Sequence, residues 1–177
     1  MFQEKEMLDR VRKGDRKAQQ ALYNHFAPRM LGLCFRYCDD AGDAEDVLQD
    51  AFIRVFRYIG TFNGEGSLEG WVRRIVVNTA LNHLKKQSLT RFQADVDALP
   101  EGDQPAVAAA STLELEELLR LIRSLPAGYR VVFNMYEIEG YSHAEIAKMM
   151  GVSVNTSKSQ LMKARRMLQK RIDESEL

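Results

Sequence analysis

Two groups of side chains in this sequence have the chemistry to hold a nucleic-acid strand. The first lies between Trp71 and Arg91, a stretch without any acidic residue that carries Arg73, Arg74, Lys85, Lys86 and Arg91. On a helix, Arg74, Asn78 and Lys85 share one edge. Cations pair with phosphates, an amide can bond a base edge, and a nearby ring can stack, so a basic edge with an Asn beside Trp71 suits a strand. The second group is Asn155, Thr156, Lys158, Ser159, Gln160 and Lys163, followed by Arg165, Arg166, Lys170 and Arg171. Asn, Gln and Lys can read base edges, and Ser and Thr suit phosphates or either. A third set has a different character. Asp46, Gln49, Asp50 and Arg57 surround Ile53, an apolar residue where a merely solvated helix would carry Lys or Glu. That looks like a small docking patch, although a stray exposed Ile would give the same pattern.

Hydrophobic spacing supplies the elements that hold these residues. Ala44, Val47, Leu48, Ala51, Phe52, Val55, Phe56 and Ile59 recur as one buried stripe, which at ~100° per residue puts Asp46, Gln49, Asp50, Ile53, Arg54 and Arg57 on the opposite side. Ser67 is placed to cap a helix running to about Lys86. Its apolar face is Leu68, Trp71, Val72, Ile75, Val76 and Thr79, and Val77, Leu81 and Leu84 form a second stripe, so two sides are covered. Ahead of these, Phe2 to Lys13 predicts a short helix broken at Gly14-Asp15. A longer one follows from about Lys17 to Tyr37, with Ala21, Leu22, Phe26, Met30, Leu33 and Cys34 inward and Pro28 as a possible kink. Asp39 to Gly42 is expected as a loop. Four helices over Met1 to about Gln87 make a first domain.

From Gln87 to about Ser111 there is no helical stripe, two prolines (Pro100 and Pro105), and a mixture of acidic and small residues, which predicts a flexible linker. Its acidic charge could screen the basic surfaces in the free protein. The second domain begins near Thr112. Leu113, Leu115, Leu118, Leu119 and Ile122 give a helix that stops before Pro126, and Tyr129, Val132, Phe133, Tyr136 and Ile138 belong to the next. Ser142 and Glu145 form a capping box for a short helix with Ile146, Ala147 and Met150 inward. Gly151 supplies a turn, and Ser153 caps a last helix with Val154, Leu161, Ala164 and Leu168 buried. This is the layout of a helix-turn-helix; a basic solvated helix on an unrelated bundle is the alternative. The fold class is therefore all-α, two small helical domains joined by a flexible linker.

The chain has 177 residues, 45% hydrophobic and 28% charged, which fits a soluble globular protein of one ordinary or two small domains. Charges interrupt the start, MFQEKEMLDRVRKGD, before any signal-peptide core forms, and no apolar run reaches bilayer length, so a cytoplasmic protein is expected. With 25 basic and 25 acidic residues the net charge is zero, which at first argues against a nucleic-acid binder. The distribution reverses this. Asp39 to Asp50 is an acidic block without a base, Asp95 to Glu117 carries a second acidic group, and the basic residues gather elsewhere. Cys34 and Cys38, with His25 upstream, fall short of paired metal motifs; no metal and no cofactor are expected.

The run DAEDVLQDAFIRVFR, the Thr61-Phe62-Asn63-Gly64 loop and WVRRIVVNTALNHLKK resemble region two of bacterial sigma factors of the sigma-70 family, most of all the small extracytoplasmic-function class. The stretch from Leu125 to Leu168 resembles region four of the same family. The resemblance implies that Asp46, Gln49, Asp50, Ile53 and Arg57 dock on the clamp helices of the polymerase largest subunit. It implies that Phe62, Asn63 and Ser67 of the loop, with Trp71, Arg73, Arg74, Asn78 and Lys85, melt the minus-ten element and hold a flipped base. It assigns minus-thirty-five recognition to Asn155, Thr156, Lys158, Ser159, Gln160, Met162, Lys163 and Arg166. Core RNA polymerase and promoter DNA are the implied partners, with an anti-sigma factor, often membrane-bound in the family, and no small-molecule substrate. The middle region of housekeeping members is missing, and the family's linker in its place threads the RNA exit path. One departure is Ser157, where many members have Val. It costs about 1 kcal/mol of packing unless its hydroxyl bonds back to the preceding turn.

Three functions follow from these readings. A promoter-specificity subunit uses every group above. A stand-alone helix-turn-helix regulator leaves the Ile53 patch and the Asn78 edge without a task. An enzyme such as a recombinase needs a nucleophile with clustered arginines or a carboxylate metal site, and the acidic residues from Asp39 to Asp50 are spread around their helix axis.

Overall fold

Gly14, with φ 77°, ends the first helix, and the side chain of Asp15 starts the second. In the computed structural model, which describes residues 2–93 and 113–175, α1 spans Phe2–Arg12 and α2 spans Arg16–Tyr37. Asp15 Oδ1 accepts from the amides of Lys17 (2.9 Å) and Ala18 (3.3 Å), while Arg10 Nε donates to Oδ2 at 2.8 Å. This satisfies amides that no helical carbonyl can reach. In α2, Leu22, Phe26, Met30, Leu33 and Cys34 are buried as predicted, but Ala21 is exposed. Ala18 and Ala27 take its place, because the stripe through 18, 22, 26, 30 and 33 leaves position 21 at its solvent margin. Cys34 and Cys38 are both buried free thiols. Among the described residues no group of three or more His, Cys, Asp or Glu is placed to hold a metal ion.

The third helix, α3, spans Ala41–Tyr58, so Ala41 and Gly42 are helical rather than part of a loop. Asp43 in its first turn favours that early start by facing the positive end of the helix dipole. Ala44, Val47, Leu48, Ala51, Phe52 and Val55 are buried, and the Phe52 ring meets Tyr23 edge-on at 4.7 Å. A 3-10 turn, Ile59–Thr61, buries Ile59 and leads into the loop before α4. Helix α4 spans Leu68–Gln93. It runs almost two turns beyond the predicted end at Lys86, since neither Gly nor Pro interrupts residues 87–93. The rest of the predicted linker lies outside the described residues. Leu68, Val72, Val76, Val77, Ala80 and Leu81 are buried on two sides of α4, as expected, and α3 packs against it. Thr79 is buried too, its hydroxyl donating to the Ile75 carbonyl at 2.8 Å.

Helix α5 (Leu113–Arg123) buries Leu119 and Ile122. Leu118, one of the leucines that mark this helix in the sequence, is 49% exposed, because the core closes on the other side of the helix. Leu125, Ala164 and Leu168 form that core, flanked by Leu121, Tyr129, Phe133 and Met167. Helix α6 spans Ala127–Phe133 and passes into one π turn, Asn134–Ile138, where the Glu139 amide reaches the Asn134 carbonyl at 2.9 Å. Val131, Val132, Asn134 and Met135 are buried there. Within this segment Arg130 is also buried, and its guanidinium donates to the Arg123 carbonyl at 2.8 Å.

Helix α7 spans His143–Met150 and carries the predicted capping box between Ser142 and Glu145. Gly151 follows with φ 73°, the left-handed value that favours glycine. The last helix, α8, is Val154–Ser175, and Ser153 Oγ accepts from the Thr156 amide at 3.0 Å. Leu161, Ala164 and Leu168 are buried as expected, whereas Val154 is 40% exposed. Val154 is the first residue of the helix, one turn ahead of the point where packing begins at Ser157.

The chain divides into two compact units, Met1–Phe35 with Ala41–Ala98 and Arg36–Asp40 with Leu99–Leu177. All regular structure among the described residues is helical. Of these helices none is long and apolar enough to cross a membrane.

Candidate nucleic-acid interface

In the first unit the exposed faces of α3 and α4 carry the two groups singled out above. Ile53 is 64% exposed, and Asp46, Gln49, Asp50 and Arg57 around it are exposed as well. Arg54 turns away from this patch and reaches α4, where its Nη1 donates weakly to Thr79 Oγ1 at 3.4 Å. The polar side of α3 is therefore a solvent-facing surface with an apolar centre, because α4 covers only the opposite stripe.

On α4, Arg74, Asn78 and Lys85 are exposed along one edge. Arg73 is half-buried and holds Glu69 one turn earlier at 3.5 Å. Burial of Val72, Val76, Val77 and Leu81 fixes the rotation of the helix, and so leaves this edge no other direction to point. Two left-handed glycines, Gly64 (φ 84°) and Gly66 (φ 78°), bend the loop that precedes it. Asn63 Oδ1 accepts from the Glu65 amide at 3.1 Å, and Ser67 Oγ accepts from the Gly70 amide at 3.0 Å. Asn63 and Ser67 are exposed, and Trp71 is half-buried.

Phe62 has a different position. Its ring is buried, 5.8 Å from the Trp71 ring, so it anchors the loop from within. Arg12 was not singled out by the sequence. Its Nη2 donates to the Phe62 carbonyl at 2.6 Å, a contact fifty residues apart that no local spacing reveals.

The helix-turn-helix of the second unit exposes Asn155, Lys158, Ser159, Met162 (57%), Lys163 and Arg166 on α8. Thr156 is half-buried, its hydroxyl 2.9 Å from Ser153 Oγ, and Ser159 Oγ donates to the Thr156 carbonyl at 3.0 Å. The Lys163 ammonium lies 5.9 Å from the Tyr129 ring centroid. Gln160 is half-buried: a side chain at Gly128 would start 3.2 Å from its amide nitrogen, so it fills the space that this glycine leaves open on α6.

Ser157 is fully buried, and its hydroxyl lies 2.9 Å from His143 Nδ1 on α7, not against the preceding turn. The His143 ring stacks on Tyr136 at 4.4 Å, and Arg165 sits over the other part of this cluster, 6.0 Å from the Tyr136 centroid and bonded to Glu137 at 2.6 Å. Side chains from α7, the π turn and α8 thus fix the angle at which α8 is presented.

Known proteins share this arrangement. Residues 22–90 match the family model for sigma-70 region 2, and residues 115–168 match that for sigma-70 region 4. The chain is 33% identical over 179 residues to the RNA polymerase sigma-H factor of Pseudomonas aeruginosa, covering 95% of this chain and 93% of that protein. It is 33% identical over 177 residues to the ECF RNA polymerase sigma-E factor of Escherichia coli, covering 94% and 92%. Among solved structures it is similar in fold to the sigma factor RpoE of Bartonella quintana, solved with the anti-sigma factor NepR (TM-score 0.61, 21% identity, 87% of this chain and 96% of that one). A second such structure is CnrH in complex with the cytosolic domain of CnrY (TM-score 0.54, 20% identity, 95% and 96%).

Proposed function

This chain belongs to the sigma-70 family of RNA polymerase sigma factors, and we propose that its two units divide the tasks of an extracytoplasmic-function member between them. As an alternative sigma factor it directs promoter-specific transcription initiation and is not an enzyme. Its partners are core RNA polymerase and promoter DNA. The reading is carried by one observation: similarity to these relatives runs collinearly through both units. A stand-alone regulator would share the helix-turn-helix alone.

In this proposal residues 1–87 form the region 2 domain, 88–111 the linker and 112–177 the region 4 domain. Ile53 inserts into an apolar recess of the polymerase while Asp46, Gln49, Asp50 and Arg57 supply the polar rim, a division that interfaces commonly show. Arg74 and Lys85, with Arg73 behind them, hold the phosphates of the minus-ten strand. Asn78 and the exposed loop residues Asn63 and Ser67 meet the extruded base, with Trp71 as a flank. Phe62 supports that loop from below. Asn155, Lys158, Ser159, Met162, Lys163 and Arg166 face the minus-thirty-five duplex, with Thr156 fixing the helix start and Gln160 bracing α8 against α6 at Gly128. The protein acts in the cytoplasm, where transcription takes place. An anti-sigma factor is its further partner in this reading, as NepR is of the sigma factor RpoE in the solved complex.

Run-off transcription with purified core polymerase tests the proposal. A discrete transcript from a promoter selected by this chain, absent with core alone, is the expected result. Promoter DNA bound equally well without core, and no transcript with it, would instead favour the stand-alone regulator.

A further inference from the structure

Helix α1 lies outside residues 22–90, where the region 2 match begins and ends, and the proposed function gives it no task. It nonetheless touches the segment that leads into the minus-ten loop. Leu8 and Val11 are buried, which docks α1 on the 3-10 turn Ile59–Thr61 and fixes where Arg12 starts from. Asp9 then orients the guanidinium, pairing with Nη1 at 3.2 Å. The remaining fork donor, Nη2, reaches the carbonyl of Phe62 at 2.6 Å. That carbonyl is joined to Asn63, the residue before the loop turns at Gly64 and Gly66, whose left-handed φ values favour glycine. Below it, the Phe62 amide bonds the Ile59 carbonyl at 3.3 Å and its ring is buried near Trp71. Phe62 is therefore held at its amide and its ring by its own neighbours, and at its carbonyl by α1 alone among the bonds described.

We infer that Arg12 is a positioning residue for the minus-ten loop: through the Phe62 carbonyl, α1 sets the path on which Asn63 to Ser67 meet the DNA. The inference rests on the proposed role of that loop. A charge-assisted bond to a backbone oxygen is strong and directional, and a planar guanidinium shared between a carboxylate and a carbonyl resists rotation. Loss of the bond frees the loop without removing any group that touches DNA, so base preference changes along with opening rate.

Hydrogen exchange on the full chain, and strand opening by the holoenzyme on promoters varied at each minus-ten base, test this. Arg12→Ala should raise amide exchange in residues 62–67 roughly five-fold, the factor expected for one net hydrogen bond, with 68–81 unchanged. It should also flatten the ranking of minus-ten bases, and Arg12→Lys, which keeps a donor, should restore part of both. Unchanged exchange in 62–67, or a rise spread evenly over the helices, would overturn the inference. If Arg12→Ala fails to fold, Arg12→Gln is read by the same two measurements. Asn63→Ala and Asn78→Ala serve as the second arm. If these move the base ranking and the Arg12 variants do not, the inference fails while the loop's role stands. If these leave the ranking unmoved, the loop's role fails, and exchange alone still decides whether Arg12 holds the loop.

Discussion

Ser157 Oγ and His143 Nδ1 lie 2.9 Å apart and join the two helices of the helix-turn-helix through its interior. A polar residue on the buried stripe of α8 is thereby given a partner, which offsets the packing that a larger apolar side chain would supply. A double-mutant cycle of Ser157→Ala and His143→Ala, followed by urea unfolding, should give a coupling of about 1 kcal/mol. Strictly additive effects would show that the contact contributes nothing.

Ile53 makes the opposite case, since an exposed side chain has little packing to lose. Ile53→Lys with Asp50→Lys should leave the free energy of urea unfolding within the range of ordinary surface changes, about 0.5 kcal/mol. Affinity for core polymerase, measured by fluorescence competition, should fall roughly tenfold or more, the loss of an interface anchor. Unaltered affinity would remove α3 from the docking surface.

Asn78→Ala changes an exposed residue on a helix whose rotation is fixed by Val76, Val77 and Leu81. The fold should be unaffected. Permanganate reactivity of the melted region should drop while formation of the initial duplex complex is kept.

On α8 the prediction separates two neighbours. Lys158→Ala should lower the salt-dependence slope of minus-thirty-five binding by about one, as for a lost phosphate contact, and weaken all sequences alike. Gln160→Ala should leave base preference nearly unchanged, because this side chain is spent on the space beside Gly128.

Asp15 should give the first unit part of its acid sensitivity. The Arg10 side chain, and next the Ala18 amide, hold its carboxyl below the usual carboxylate range. A depressed folded-state pKa adds stability that is present above the unfolded value, about pH 4, and is lost as pH falls through the lower folded value. Asp15→Asn should therefore melt lower than wild type at pH 7, with the difference shrinking below about pH 4. A constant difference from pH 7 to pH 2 would contradict this.

Most of the fold was legible in the sequence because its helices are amphipathic and punctuated by residues with a local mechanism. Ser142, Glu145, Gly151 and Ser153 act on amides within four residues of themselves, so spacing alone reveals them. Ile53 was visible because an apolar residue is out of place on a polar face, and Asn78 because helical spacing sets it on one edge with Arg74 and Lys85. What periodicity missed depends on partners distant in the chain. Leu118 and Val154 belong to apolar patterns but lie where no neighbour covers them, and Ala21 sits at a stripe's margin. Phe62 comes into the minus-ten group through the family resemblance alone; only its packing beside Trp71 shows that its ring turns inward. Arg12 and His143 act across fifty and fourteen residues. Neither pair lies within one helix, so periodicity does not pair the two ends.

The π turn at Asn134–Ile138 holds one more residue than an α-helical turn would. Each residue of an α-helix advances the phase by about 100°, so this surplus is an angular offset stored in the main chain. It lets Asn134 and Met135 stay interior while Tyr136 comes round to meet His143. Deleting a single residue here would turn Tyr136 by about that angle away from His143, and so undo the ring contact that ties this segment to α7. The seat of α8 thus depends on a residue count upstream as well as on the side chains that α8 carries.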